Sequence, residues 1–320
     1  LDSLGTGSGS TPTFRLVWAT DIHLNFLKHP HAAQSFGQYL REETQGEAIV
    51  LTGDISEAPT VDHHLGQLMG GFGRPTYFVL GNHDYYKGSF ESVEKTVSKY
   101  SLWLDHGEVH KLTEKVALVG SEGWYDAEFG NPMVVKFGMT DWREIQDLDR
   151  LPGIPFGIKR VSRVNGKTVR EVLLDKEARQ RVIDVCRARS KAFAERARES
   201  LLDALTTFEQ IVFATHCPPF EGATWHEGEL SDSTWVPWFS SKAMGDMLLE
   251  IADAHPHRKI LVLCGHTHSS GVYSPRPNLL VLTGEAVYYS PNLAGILDIT
   301  DEGITVSMNL RKTWRVLPIF

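Results

Sequence analysis

Cysteine is scarce in this 320-residue chain. Cys186, Cys217 and Cys264 are the only three, and no two have C-x-x-C spacing. An odd count without paired spacing argues against a disulfide framework and against a thiolate zinc site. Positive charge is also in deficit. Lys and Arg number 32 against 40 Asp and Glu, a formal net charge of -8. Such a chain has no global field to draw in nucleic acid or an anionic membrane. No apolar run is long enough to span a bilayer, so no membrane partner is expected. There is no internal repeat. The opening stretch, Leu1–Thr13, is rich in Gly, Ser and Thr and has neither a starting Met nor a hydrophobic signal core. It reads as a flexible leader or a cloning remnant. Unpaired cysteines make a reducing compartment the default, hence a cytoplasmic location.

What is present suits a globular enzyme. The chain is 42% hydrophobic and 22% charged, enough apolar material for one large domain over residues 14–320. Short runs rich in Val and Ile recur: Phe14–Ala19, Ala48–Leu51, Thr76–Leu80, Val116–Val119, Gln210–Ala214, Lys259–Leu263, Leu279–Leu282, Gly295–Ile299 and Ile304–Leu310. Their length favours strands, and unbroken apolarity in Ile49–Leu51 and Ile260–Leu263 favours strands covered on both faces. Helical patterns lie between them, so the fold class is α/β. The clearest helix runs from about Leu173 to Leu205, with Val182, Cys186, Phe193, Ala197, Leu201 and Leu205 on one stripe. Its many Arg and Lys read as a solvated face, because no aromatics interleave with them. Stretches 120–170 and 217–241 lack a steady period and read as long loops of the functional kind.

Five fragments at strand ends carry the chemistry. Asp21-Ile22-His23 follows the first strand, and residues two apart in an extended segment point the same way. Gly53-Asp54 follows the second, presenting a carboxylate where α/β sheets bind ligands. Gly81-Asn82-His83-Asp84 follows the third and offers an amide oxygen and a titratable proton donor. Thr215-His216-Cys217-Pro218-Pro219 follows the strand Gln210–Ala214. Gly265-His266-Thr267-His268 follows Lys259–Leu263, and its paired imidazoles are the strongest single metal signal. Each fragment alone is a common turn. Five strand ends all carrying Asp, Asn or His point to a metal site.

In order and spacing, from about Phe14 to Gly284, this series resembles the calcineurin-like metallophosphoesterases. The resemblance implies a four-layer αββα sandwich of two mixed sheets flanked by helices. It implies two divalent ions. Asp21, His23, Asp54 and His268 would hold one, and Asp54, Asn82, His216 and His266 the other, with Asp54 bridging. It gives His83 and Asp54 catalytic roles, with His83 facing the substrate rather than a metal. Imidazole, carboxylate and amide donors without thiolate suit Mn, Fe, Zn, Co or Ni. The reaction implied is hydrolysis of a phosphomonoester or phosphodiester by a metal-bridging hydroxide, with His83 assisting the leaving group. A metal-binding scaffold that has lost catalysis is the alternative, and a decayed scaffold should lack ligands or the His of G-N-H-D. All eight positions are present. A nuclease sub-class is opposed by the acidic charge. The expected partner is therefore a small phosphoester. Asn82, Tyr85, Tyr86, Trp124 and Trp225 are the candidate substrate contacts, the last four as part of an aromatic wall. Packing is the competing role for loop tryptophans, above all Trp235 and Trp238 beside Pro237.

Overall fold

Alternation along the strands divides the protein into layers. In Phe14–Ala19, Leu16 and Trp18 join one apolar core, while Val17 and Ala19 join another. The same split separates Ala48 and Val50 from Ile49 and Leu51. A period of two sends neighbouring side chains to opposite faces. Leu16 and Trp18 meet Val212, Ala214, Leu261 and Leu263 between the sheets, and the other set lies under helices. The computed structural model describes residues 13–133, 139–151, 159–164, 167–172, 176–310 and 313–319.

Two six-stranded mixed sheets result. The first has the spatial order Thr313–Ile319, Ile304–Leu310, Gly295–Ile299, Phe14–Ala19, Ala48–Thr52 and Thr76–Val79. Its last three strands are parallel; the others pair antiparallel. The second runs Gly271–Arg276, Leu279–Thr283, Lys259–Cys264, Gln210–Ala214, Val116–Gly120 and His110–Lys111. Its four inner strands are parallel. Parallel neighbours need crossovers, and helices Ala32–Thr44 and Val61–Phe72 supply them in the first sheet. Their backbones approach closely: a Cβ on Gly71 would lie 2.1 Å from the carbonyl oxygen of Gln34. Helices Lys176–Thr207 and Lys242–Ala254 pack together against the second sheet. The expected αββα sandwich is what forms.

Several expectations need correction. The long helix buries its predicted stripe, but its basic residues are not all solvated. Arg179 is buried, and Arg189 turns inward to donate to Tyr85 Oη and Glu94 Oε1, both at 2.7 Å. Its guanidinium also covers the rings of Phe90 and Phe193. The start of that helix prediction, 173–175, lies outside the described residues. Stretch 120–170 is not bare loop: it holds helical turns Asp141–Glu144 and Gln146–Asp149 and a hairpin of Lys159–Val164 with Lys167–Val172. Stretch 217–241 holds a tight hairpin, Trp225–His226 with Glu229–Leu230, and the short helix Val236–Phe239. No helix among the described residues is long and apolar enough to cross a membrane.

Candidate metal centre

All five fragments leave the carboxyl ends of parallel strands and meet between the sheets. Their geometry differs from the simple extended segment. Asp21, His23, Asp54, His266 and His268 all have positive φ, between 40° and 68°. Side chains two apart converge because the chain kinks in the left-handed region, not because a strand continues. That region is costly for residues with a Cβ, and Asp, Asn and His tolerate it better than most. The kinked segments hold one another through their backbones. Asp21 N donates to Gly53 O and His23 N to Asp54 O, each at 3.0 Å. The second sheet joins where His266 N donates to the Asp21 carboxylate, at 3.0 and 3.1 Å. Gly265 allows this approach, since a Cβ there would lie 1.9 Å from Thr20 Oγ1.

The donors fall into two groups that share one carboxylate. Donor atoms of Asp21, His23, Asp54 and His268 all lie within 4.8 Å of one another. His268 Nε2 is 3.2 Å from Asp21 Oδ1 and 3.4 Å from His23 Nε2. In the second group, His216 Nε2 lies 3.0 Å from Asn82 Oδ1 and 3.2 Å from His266 Nδ1. Asp54 serves both. Its Oδ2 is 3.8 Å from His23 Nε2, and its Oδ1 is 3.4 Å from His216 Nε2.

Surrounding carbonyls fix the tautomers of two histidines. Thr52 O lies 2.8 Å from His216 Nδ1, and Trp238 O lies 3.0 Å from His266 Nε2. A carbonyl only accepts, so each of those nitrogens carries the proton, and the other nitrogen turns its lone pair inward. Two lone pairs face each other at 3.2 Å, an arrangement that suits a cation. Burial also keeps the rings neutral, the ligating form. It pushes His23 down to about 3, with His268 and His216 adding to the shift, and His266 down to about 4, helped by His216. Burial would raise Asp21, but His268, bonded to it at 3.2 Å, leads the effects that outweigh burial and hold the carboxyl below its usual range. Burial and the neighbouring Asp21 and Asp84 carboxylates push Asp54 well up. A cation between the groups would relieve that repulsion. Burial likewise pushes the thiol of Cys217, next to His216, well up, so a thiolate ligand is not on offer. The donor set fits two divalent ions of the borderline type.

Two further carboxylates support the site. Asp84 accepts from the backbone N–H groups of Gly81, Ile55 and Ser56, at 2.8, 3.2 and 2.7 Å. It ties the second and third fragments together; burial, against those three bonds, pushes it up to about 7. Asp141 accepts from Asn82 Nδ2 and Tyr86 Oη, both at 2.7 Å, and from Tyr125 Oη at 3.1 Å. Asp84 was visible in its motif. Asp141 was not, since nothing local in its sequence marks it.

A cleft of about 300 Å³ opens onto the centre. Asp54, Asn82, His83, His266 and His268 form its floor, with Tyr86, Asp141, His226, Trp235, Phe239 and Tyr288 around it. The calcineurin-like phosphoesterase family model matches residues 14–270. The chain belongs to that family. It is a phosphoesterase, and its family chemistry is metal-dependent hydrolysis of phosphoric esters. A dimetal phosphatase from Danio rerio has a similar fold, with a TM-score of 0.58 and 12% sequence identity over 97% of this chain and 100% of that one. A phosphopantetheinyl hydrolase from Mycobacterium tuberculosis gives a TM-score of 0.48 and 14% identity over 88% and 91% of the two chains. A Thermus thermophilus protein, TT1561, gives 0.46 and 12% over 97% and 100%. No curated protein matches the sequence significantly.

The phosphoesterase cleft corrects the expected aromatic wall. Tyr86 lines it, stacked on His83 with ring centroids 4.2 Å apart. Tyr85 does not: it is fully buried and donates to Glu122 Oε2 at 2.5 Å. Trp124 packs edge-on to Tyr85 and Phe90, away from the floor. Trp225 lines a separate hollow with Gly271 and Val272. Trp235, expected to pack, lines the cleft, whereas Trp238 is buried. Tyr288 was missed. It follows the strand Leu279–Thr283, a parallel neighbour of the strand that precedes the H-x-H pair. That sixth strand end was the available signal.

Proposed function

We propose that this phosphoesterase hydrolyses a small phosphoric ester in the cleft, with two divalent ions held by seven side chains. Asp21, His23, Asp54 and His268 would hold one ion, and Asp54, Asn82, His216 and His266 the other. The observation that carries this reading is the split of Asp54, whose two oxygens face different imidazole groups, at 3.8 and 3.4 Å. Such a pair, when bound, supplies an activated water and Lewis-acid stabilisation of phosphoryl oxygens.

The chain's own residues do the rest. Asp54 and the two His groups would hold the ions and so fix where the phosphoryl group sits on the cleft floor. His83 stands beside it, its backbone N–H held by Asp54 Oδ1 at 2.8 Å and its ring between His23 and Tyr86. Its Nδ1 is buried without a partner. Burial, then the nearby His23 and His268 rings, hold its pKa well down. A bound phosphate brings the opposite charge and favours the proton. His83 then gives that proton to the departing oxygen. The cleft volume supports a small molecule over a polymer.

The test is a hydrolysis screen of metal-loaded protein against phosphomonoesters and phosphodiesters, alongside His83→Ala. Turnover of at least one class, lost with chelator and restored by Mn, Fe, Zn, Co or Ni, is expected. A fully loaded protein that cleaves none of them would sink the proposal.

A further inference from the structure

The wall of the cleft has a definite chemical character. Above the floor stand Tyr86, Trp235, Phe239 and Tyr288. Trp235 and Phe239 are stacked, 5.5 Å apart and 13° from parallel, and Phe239 meets the floor at His266, edge to face at 5.6 Å. Tyr288 stands across the first donor group, its ring 4.6 Å from His23 and 4.7 Å from His268. Aromatic surface therefore reaches the floor at both ends of the donor set. Among the described residues Asp141 is the only acidic side chain of the wall, and no Lys or Arg lines the cleft. A phosphate that is not transferred would need cations or a cluster of N–H donors. Among the described residues it would meet aromatic faces, whose charge is negative, the Asp141 carboxylate, and a single imidazole, His226, set beside Trp235 and Phe239.

We infer that the substrate's leaving group is uncharged, flat or apolar, and about one ring in size, since among the described residues no Lys or Arg lines the cleft to seat a second anionic group. The inference rests on the proposed function above: it assigns the ester seated at that metal floor to aryl or apolar alkyl phosphoesters and away from nucleoside diphosphates and triphosphates. About 300 Å³ holds a phosphate and one ring, at the lower end of the range usual for small-molecule sites. Trp235 and Tyr288 determine this choice. One comes from the segment before helix Val236–Phe239 and the other from the loop after Leu279–Thr283.

Phosphonates separate this inference from turnover, because they bind without being cleaved. Calorimetry on the metal-loaded full chain would compare methylphosphonate, phenylphosphonate and 4-carboxyphenylphosphonate. All three present the same head to the floor. Phenylphosphonate is expected to bind at least tenfold more tightly than either of the others. Trp235→Ala should weaken it about three- to tenfold, the scale of one aromatic contact, and leave methylphosphonate unchanged. Tyr288→Ala, on a separate loop and partly exposed, serves if the first variant fails to fold. Equal or tighter binding of the carboxylated ligand would overturn the inference, as would unchanged phenylphosphonate affinity in the folded variants. Phenyl phosphate hydrolysis is assayed in parallel. The expected binding pattern in a loaded protein that cleaves neither phenyl phosphate nor any other mono- or diester of the screen would refute the proposed function and leave the leaving-group seat standing.

Discussion

Asn82 gives its amide nitrogen to Asp141 at 2.7 Å and thereby turns its amide oxygen to His216, 3.0 Å away. The carboxylate cannot donate, so the amide has only one satisfactory orientation. Asp141→Asn would let the amide turn over. The variant should lose about 10- to 100-fold in metal affinity, the usual effect of removing such a supporting partner. Metal titration of the folded variant checks this. Unchanged affinity would show that Asp141 matters only for packing against Tyr86 and Tyr125.

Asp54 touches both donor groups, Asn82 only one. After dialysis, Asp54→Ala should retain less metal than Asn82→Ala, with the shortfall affecting both ions. Elemental analysis decides between them. Equal content in the two variants would remove Asp54 from a bridging role.

His83 is expected to act on the leaving group without holding metal. His83→Ala should keep its full metal content. It should lose about 10²- to 10⁴-fold in rate on alkyl esters, the range of general acid help. On p-nitrophenyl esters, which leave unaided, the loss should be clearly smaller. An equal loss on both would assign His83 to charge stabilisation instead.

Asp126 gives a pH effect away from the metal ligands. It accepts from Ala243 N at 2.9 Å, at the start of helix Lys242–Ala254, and from Glu128 N at 3.1 Å. Burial still wins and pushes it up to about 6 from the usual 3.8. The folded state therefore holds the proton more tightly than the unfolded chain does. Its contribution to stability is full below about 3.8 and is lost as pH rises through about 6. Asp126→Asn should flatten that portion of the Tm against pH curve, whatever its absolute Tm. A curve parallel to the parent's would discard the assignment.

Sequence and structure agree where local signals and tertiary roles coincide. Strands such as Gln210–Ala214 are covered on both faces, so their apolar runs are unbroken. The edge strands Gly271–Arg276 and Thr313–Ile319 went unrecognised. Pro275 and Pro318 interrupt them and much of their surface is exposed, as suits an edge. At the site, all the proposed ligands sit in fragments that break apolar strands, and that contrast is readable. Asp141, Trp235 and Tyr288 come from segments without a period. Their positions depend on contacts made only after folding, such as that of Tyr125 Oη with Asp141. At Asp21, His23, His266 and His268 no glycine in the sequence announces the positive φ, and spacing of two residues fits extended chain equally well.

Those kinks also set a trade between endurance and chemistry. Five side chains at Asp21, His23, Asp54, His266 and His268 occupy a backbone region that L-residues avoid. At roughly 1–2 kcal/mol each, their combined cost is on the scale of a domain's whole net stability, about 5–15 kcal/mol. Glycine would adopt the same angles without that cost, but it would bind nothing. A screen for heat resistance alone, with no activity readout, is therefore expected to return glycine first at His23, whose Nδ1 is buried without a partner, and not at Asp21 or Asp54, whose carboxylates accept buried backbone N–H groups. Selection that keeps the enzyme working holds the protein permanently below the thermal limit its fold could reach.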